Sequence, residues 1–178
     1  GGLRYKCSGW RSMDNVVASL PGKGSLRTYG WREWASLPDL GIPAIKAKLD
    51  TGARTSALHA EEIERYAEGG APWVRFVVHP MQAQLEPEVE CSAALVDHRK
   101  VTNSGGASEL RLVIATTLQI GGDSWLVEVT LTSRRSMVFR MLLGRSAIAG
   151  RGYVDPAHSF ACGSELRRAY GTASRRSC

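Results

Sequence analysis

The sequence lacks several features that would assign it to a familiar class directly. No apolar run approaches the ~18 residues that a membrane helix requires, so we predict no membrane partner. Its four cysteines form no Cys-x-x-Cys pair, which argues against a disulfide framework and favours a reducing, cytoplasmic location. Neither a His-Glu-x-x-His motif nor a Gly-x-x-x-x-Gly-Lys-Ser/Thr phosphate loop occurs. The sequence therefore does not indicate a zinc peptidase of the His-Glu-x-x-His kind or a P-loop enzyme.

The net charge of +6 comes from the two ends of the chain. Nine of the 23 basic residues lie in 1–28 and 163–178, against two of the 17 acidic ones, so the stretch between them is nearly neutral. Basic ends can assist loose binding to RNA or acidic surfaces, but they do not form a site in a folded core. We predict no specific nucleic-acid partner, a disordered or non-native extension over 1–28, a folded domain over 29–162 and a basic tail over 163–178.

Short β-prone segments separated by turn residues fill the central stretch, a pattern typical of an all-β fold. The Gly121-Gly122 pair predicts a hairpin between its two neighbouring strands. Residues 60–68 fit either a short helix or a strand, and 164–170 fit a short terminal helix. The predicted strands are 29–37, 44–49, 73–79, 90–96, 110–120, 125–132 and 137–143.

One segment contains candidate catalytic residues, because an acidic residue ends an alternating strand and precedes a turn. Alternation from 45 to 50 places one set of side chains on an apolar face and leaves the acid on the other. The acid, Asp50, is then expected at a strand end. Gly52 permits close backbone approach there, Thr51 offers a hydroxyl and Ala53 keeps the floor of the site shallow. The apolar set is Ile45, Ala47 and Leu49, and the other is Lys46, Lys48 and Asp50.

The run Leu49-Asp50-Thr51-Gly52-Ala53, followed by Thr55, Ser56 and Leu58, resembles the active-site loop of retropepsins. A second run, 141–145, resembles the apolar-apolar-Gly-Arg element that lies behind that loop and leads into a short helix, here 146–149. More closely, the chain resembles a bacterial and archaeal retropepsin-like family often labelled "ATP-dependent zinc protease", some members of which are linked to a ribosomal-protein glutamate ligase. The matching stretches are 30–34, 46–60, 73–76, 99–102, 137–145, 154–156 and 159–160.

This resemblance implies an acid-protease closed barrel with a short helix after Gly144-Arg145. It also implies a peptide or protein substrate and the catalytic residues Asp50, Thr51 and Gly52. Aspartic proteases need two carboxylates that share one proton. The chain has a single Asp-Thr-Gly, so the second carboxylate is expected from the Asp50 of a symmetric homodimer, with Thr51 bracing the two loops.

Cations near the loop distinguish this chain from retroviral enzymes, which place acidic residues directly after the motif. We predict a cleft, lined by Lys48, Arg54, Arg140 and Arg145, that favours acidic or glutamate-modified peptides. Two alternatives stay open: Arg145 could bond the catalytic loop instead, and Lys48 could extend into solvent. Residues 101–106, with Gly105, are a candidate flap tip or an ordinary surface turn. The candidate substrate-binding residues are Ala53, Arg54, Lys48, Gly105 and Arg145.

Two other functions compete with proteolysis. A binding module could keep the fold and regulate the glutamate ligase without cleaving anything. A metal-dependent hydrolase would need zinc, for which the pairs His98 with Cys91 and His158 with Cys162 offer two ligands where a structural site uses four. We predict no metal and no cofactor. His59 and His79 are expected to be polar surface residues or residues with satisfied hydrogen bonds.

Overall fold

The computed structural model describes residues 4–6, 26–102, 106–133 and 138–170. Strands dominate these residues, with one helix, α1 (Arg145–Ile148), and 3₁₀ turns at Pro38–Leu40 and Glu165–Arg168. The strands are β1 (Arg4–Lys6), β2 (Arg27–Gly30), β3 (Arg32–Leu37), β4 (Ile42–Asp50), β5 (Ser56–His59), β6 (Glu61–Glu68), β7 (Ala71–Val78), β8 (Glu88–Thr102), β9 (Ser108–Ile120), β10 (Asp123–Thr132), β11 (Met141–Gly144) and β12 (Gly152–Asp155).

The architecture is one large sheet, which confirms the all-β prediction. Its order is β10-β5-β11-β4-β3-β9-β8-β7-β6, and β1 pairs in parallel with β8. The strand β9 contacts both β10 and β3, so the strand order returns on itself. A separate pair joins β2 and β12 in parallel. No helix in the described residues is long and apolar enough to cross a membrane.

The predicted hairpin at Gly121-Gly122 is present between β9 and β10. Both glycines have positive φ, at 56° and 89°, the conformation that a two-residue turn needs to match the strand twist. Alternation then holds over 124–129 of β10, where Trp125 and Val127 are buried and Leu126 is exposed, and 129–132 are all buried. The first part of the strand therefore has one buried and one exposed face.

The core lies directly beneath the strand that carries the acid. Fully buried apolar side chains come from three neighbouring strands: Ile45 and Ala47 from β4, Leu58 from β5, and Met141 and Leu143 from β11. Burial of a large apolar side chain contributes roughly 1.5–3 kcal/mol. Because these strands are packed so closely, the loop between β4 and β5 rests on a rigid base.

Several element boundaries differ from the sequence prediction. Within the ambiguous stretch 60–68, residues 61–68 form the strand β6, which pairs only with β7 in the described residues and exposes most of its side chains. The predicted strand 137–143 is shorter because 138–140 form bends, and β11 begins at Met141. Helix α1 begins one residue earlier than expected. The predicted terminal helix is the 3₁₀ turn Glu165–Arg168.

Packed structure also extends beyond the predicted domain limits. The short strand β1 lies within 1–28 and pairs with the beginning of β8. At the other end, the Tyr170 hydroxyl donates to the carbonyl of Ala44 at 2.9 Å. The folded unit therefore uses residues on both sides of 29–162.

Candidate active site

Asp50 is the last residue of β4, and its position is set by the strand next to it. In the parallel pairing of β4 with β11, Leu49 lies opposite Leu143 and Asp50 lies opposite Gly144. The other side of β11 pairs with β5, the strand that leaves the loop. The strands that enter and leave the loop therefore flank β11, and the acid lies at a fixed sheet end.

Backbone amides hold one oxygen of the Asp50 carboxylate. Its Oδ1 accepts from the amides of Gly52 at 3.1 Å and Ala53 at 3.3 Å. Within the described residues Oδ2 has no hydrogen bond, and Asp50 makes no ion pair. A Cβ on Gly52 would lie 3.3 Å from Oδ1, which is tighter than most real contacts. The carboxylate is therefore oriented by the loop and half-exposed, with Thr51 and Gly52 exposed beside it.

The start of α1 supports the loop from behind. The amide of Arg145 donates to Ala53 O at 2.9 Å, and its Nη1 donates to Gly52 O at 3.2 Å. Ser146 donates to Arg54 O twice, from its amide at 3.2 Å and from its hydroxyl at 2.6 Å. Arg145 therefore bonds the loop, which is the structural role that the sequence left open.

Gly144 and Ser56 form a buried contact that the sequence did not single out. A Cβ on Gly144 would lie 2.6 Å from the carbonyl carbon and oxygen of Thr55. The Gly144 amide donates to Ser56 Oγ at 3.2 Å, and the Ser56 carbonyl accepts from Thr130 Oγ1 at 2.9 Å. Both hydroxyl residues are fully buried. Thr130 lies within the predicted strand 125–132, whereas Ser56 lies outside every predicted strand, so no local pattern pairs the two.

The predicted cationic cleft is only partly assembled. Lys48 and Arg54 are exposed, and Lys48 shares a face of β4 with Asp50. Arg140 is at the opposite end of β11 from Gly144, and its Nε is buried with no hydrogen-bond partner among the described residues. Including Arg140 in the cleft was therefore wrong, because the strand direction carries it away from the loop. Gly105 lies outside the described residues.

The expectation that His59 and His79 are surface or satisfied residues was wrong in part. His59 is buried, and neither ring nitrogen makes a hydrogen bond within the described residues. Its Nε2 lies 3.4 Å from Glu61 Oε1. Burial, followed by the nearby charge of Arg140, lowers the pKa of His59. His79 is also buried, with Nδ1 2.6 Å from the carbonyl of Leu85.

The two candidate metal pairs serve other contacts. Cys91 is buried and its thiol contacts the carbonyl of Leu40 at 3.4 Å. The Nδ1 of His158 lies 2.6 Å from Asp155 Oδ2. Across the ranges that the structure describes, no group of three or more His, Cys, Asp or Glu side chains could hold a metal ion.

A buried acid, Glu33, was missed by the sequence analysis. Its Oε1 accepts from the Gly30 amide at 2.6 Å, and its Oε2 accepts from the Cys162 amide at 3.3 Å. Glu33 therefore ties the β2–β3 junction to a segment 129 residues later in the chain. A glutamate next to Trp34 within a predicted strand was the available signal, since a buried charge needs partners.

An aspartate on an Asp-Thr-Gly-Ala loop at a strand end, supported from behind by a Gly-Arg turn and a short helix, defines the retropepsin-like class. The chain belongs to the RimB-like family. The family model, described as "Retropepsin-like aspartic endopeptidase RimB", matches residues 28–165. The resemblance stated from the sequence is thereby confirmed.

Curated relatives carry a different description. The chain is 45% identical over 151 residues to a "Probable alpha-L-glutamate ligase" of Shewanella pealeana, covering 83% of this chain and 33% of that protein. A relative of the same description from Desulfotalea psychrophila is 44% identical over 147 residues, with 83% and 32% covered. The chain spans about a third of the length of these relatives.

A solved structure is also similar. It is the crystal structure of Lpg0085, a protein of unknown function from Legionella pneumophila, with a TM-score of 0.61 and 33% identity. The match covers 76% of this chain and 97% of that one. The two proteins therefore share a fold over most of the present chain.

Proposed function

We propose that this chain is a retropepsin-like aspartic endopeptidase that hydrolyses peptide bonds through Asp50. The observation that carries the proposal is the half-exposed Asp50 carboxylate, with one oxygen held by two backbone amides and the other oxygen without a partner in the described residues. Membership of the RimB-like family supports the same chemistry. We also propose that the returning strand order forms an acid-protease barrel, and that the protein acts in the cytoplasm.

The second carboxylate is proposed to come from another copy of the chain. Nothing in the described residues joins Asp50 to a second carboxyl group. In a dimer, one Asp50 would take a proton from water as the water oxygen bonds to the scissile carbonyl carbon, while the other donates its proton to the carbonyl oxygen. The first Asp50 then gives its proton to the amine nitrogen as the carbon–nitrogen bond breaks. The second Asp50 takes a proton back from the diol, which becomes the carboxylic acid. Thr51 is exposed and would brace the two loops.

Acidic or glutamate-modified peptides are the proposed substrates. Lys48 and Arg54 are exposed near Asp50, and neither makes an ion pair in the described part of the chain. Relatives described as glutamate ligases contain a region like this chain, which also favours glutamate-bearing substrates. The hairpin of β8 and β9, whose end includes Val101 and Gly106, is the proposed flap.

Subunit mixing tests the shared site directly. Wild-type protein is equilibrated with Asp50→Asn protein, and cleavage of an acidic peptide is followed while light scattering reports the mass. Asp123→Asn, on an exposed aspartate paired with Arg27, is the matched control. At equal amounts, random pairing leaves about a quarter of the dimers with two Asp50 residues, so activity per wild-type subunit should halve.

Other results would contradict the proposal in distinct ways. Activity that is unchanged on mixing, from a protein of monomer mass, would rule out the shared pair. The competing function is a binding module that regulates a glutamate ligase, favoured by the description of the relatives. It predicts that Asp50→Asn keeps the full effect on the ligase, and that a statine-type inhibitor changes nothing.

A further inference from the structure

Arg32 of β3 is held between two aromatic rings. Its guanidinium carbon lies 4.6 Å from the centroid of Trp31 and 5.1 Å from that of Phe160. These distances are typical of cation–π contacts. Its Nε donates to Ser159 Oγ at 3.1 Å. Three contacts therefore fix a long side chain that would otherwise sample many rotamers.

The backbone conformation of Phe160 indicates that the surrounding structure enforces its position beside Arg32. Phe160 has φ of 58°, in the left-handed region that bulky side chains rarely occupy. Its amide donates to Arg32 O at 2.9 Å, and its ring stacks on Trp34 with centroids 6.2 Å apart. Backbone strain of this kind persists where the surroundings enforce it, and it is common at ligand clamps.

The terminal nitrogens of this fixed guanidinium are unused. Within the residues that the structure describes, neither Nη of Arg32 has a hydrogen-bond partner and Arg32 makes no ion pair. Lys48 lies directly opposite Arg32 in the β3–β4 pairing, is exposed and also makes no ion pair there. Opposite residues have Cβ atoms ~5 Å apart, so both cations can reach one ligand.

We propose that Arg32 and Lys48 form a carboxylate-binding subsite beside Asp50. This assignment rests on the proposed function, because it names where a peptide substrate would place an acidic side chain. Asp50 follows Lys48 by two residues on the same face, which is ~7 Å along the strand. The amide of Leu49 donates to Trp31 O at 3.0 Å, so the Arg32 segment is fixed relative to the catalytic loop.

A carboxylate is the ligand that suits this geometry. A guanidinium with a fixed plane presents parallel N–H groups that match two carboxylate oxygens, and a lysine adds a charge without directional demand. A phosphate would satisfy the same donors. The peptide is favoured because the cations continue along the strand that ends in Asp50.

Calorimetric binding to Asp50→Asn protein, which should not consume its ligand, tests the subsite. The probes are a hexaglutamate peptide and a hexaglutamine peptide, and the variants Arg32→Lys and Lys48→Ala are made in that background. Arg75→Ala is the control, since Arg75 is an exposed arginine paired with Glu64 on another strand.

We expect Arg32→Lys to weaken hexaglutamate binding about tenfold, because lysine keeps the charge but loses the bidentate fork. Lys48→Ala should weaken it about two- to threefold, as is usual for one exposed charge. The control should bind normally, and the glutamine peptide should not bind. Added salt should weaken the binding of the acidic peptide.

Unchanged affinity in Arg32→Lys would overturn the subsite. If that variant fails to fold by circular dichroism, Lys48→Glu decides, because Lys48 is exposed and charge reversal should abolish binding. Tighter, Arg32-dependent binding of a short RNA would overturn the peptide assignment. Cleavage by wild-type protein is measured separately: Arg32-dependent binding without cleavage refutes only the peptidase, and cleavage with Arg32-independent binding refutes only the subsite.

Discussion

Replacing Gly144 by alanine should displace the Asp50 loop, because no space exists for a side chain there. The added Cβ would lie 2.6 Å from the carbonyl carbon and oxygen of Thr55 and 2.7 Å from Arg54 O. To regain ordinary contact the Thr55 backbone must move by roughly 0.8 Å, from 2.6 Å to the 3.4 Å at which such contact begins. Both neighbours are backbone atoms, so no side chain can rotate away.

The magnitude follows from overpacking and the bonds that a shift would stretch. Overpacking in a rigid site costs about 1–3 kcal/mol. Movement of the loop also strains the bond from the Gly144 amide to Ser56 and the bonds from α1 to Ala53 and Arg54, worth roughly 1 kcal/mol each. We expect Gly144→Ala to lower the free energy of unfolding by about 2–4 kcal/mol, which a domain of ordinary stability survives.

Urea unfolding gives the stability change, and peptide cleavage gives the effect on the site. Gly52→Ala is the comparison, since its Cβ would meet only Asp50 Oδ1 at 3.3 Å and no backbone atom. That variant should unfold near the wild-type midpoint while its carboxylate is disturbed. A Gly144→Ala protein with wild-type stability and activity would refute the proposed role of the Gly-Arg turn as the rear support of the loop.

Three further perturbations have defined outcomes. Ser56→Ala leaves the buried amide of Gly144 without its acceptor, so urea unfolding should show a loss of about 1–3 kcal/mol. Glu33→Gln replaces one of the two carboxylate oxygens that accept from backbone amides with an NH₂ group, which is a donor. The same assay should show the free energy of unfolding lowered by about 1.5–3 kcal/mol. His59 has a folded-state pKa below its ordinary 6.5, so the unfolded chain takes up its proton first and stability falls as the pH drops from about 6.5 through the folded pKa. His59→Gln should flatten thermal stability over that range, whereas the exposed His98→Gln should not.

The Asp50 loop could be predicted from the sequence because its signals are local. The alternation of 45–49 marks a strand with one buried face, and the burial of Ile45, Ala47 and Leu49 follows it. The glycine pair at 121 and 122 similarly marks a hairpin through backbone conformation alone. Each of these features depends on neighbours within a few residues.

The supports of the site could not be predicted, because they join distant parts of the chain. Ser56 and Gly144 are 88 residues apart, and Glu33 and Cys162 are 129 apart. Strand β6 was ambiguous for a related reason: its Glu, Arg and Ala residues suit an exposed helix, and pairing with β7 decides the outcome. His59 gives no local sign of burial, since the surrounding strands enclose it.

The direction from which the loop is held bears on the choice between peptidase and binding module. The hydrogen bonds that reach the loop from α1 come from Arg145 and Ser146, all on the rear side. Thr51 and Gly52 stay exposed, and in the described residues the Thr51 hydroxyl has no partner. A Thr51 hydroxyl without an intrachain partner keeps both its donor and its acceptors for a second subunit, so a shared catalytic pair is favoured by such an open front. A binding module has no comparable need to hold a carboxylate rigidly while leaving one of its oxygens without a partner. Whether another copy of the chain or a different protein contacts this exposed side of the loop therefore distinguishes the peptidase from the binding module.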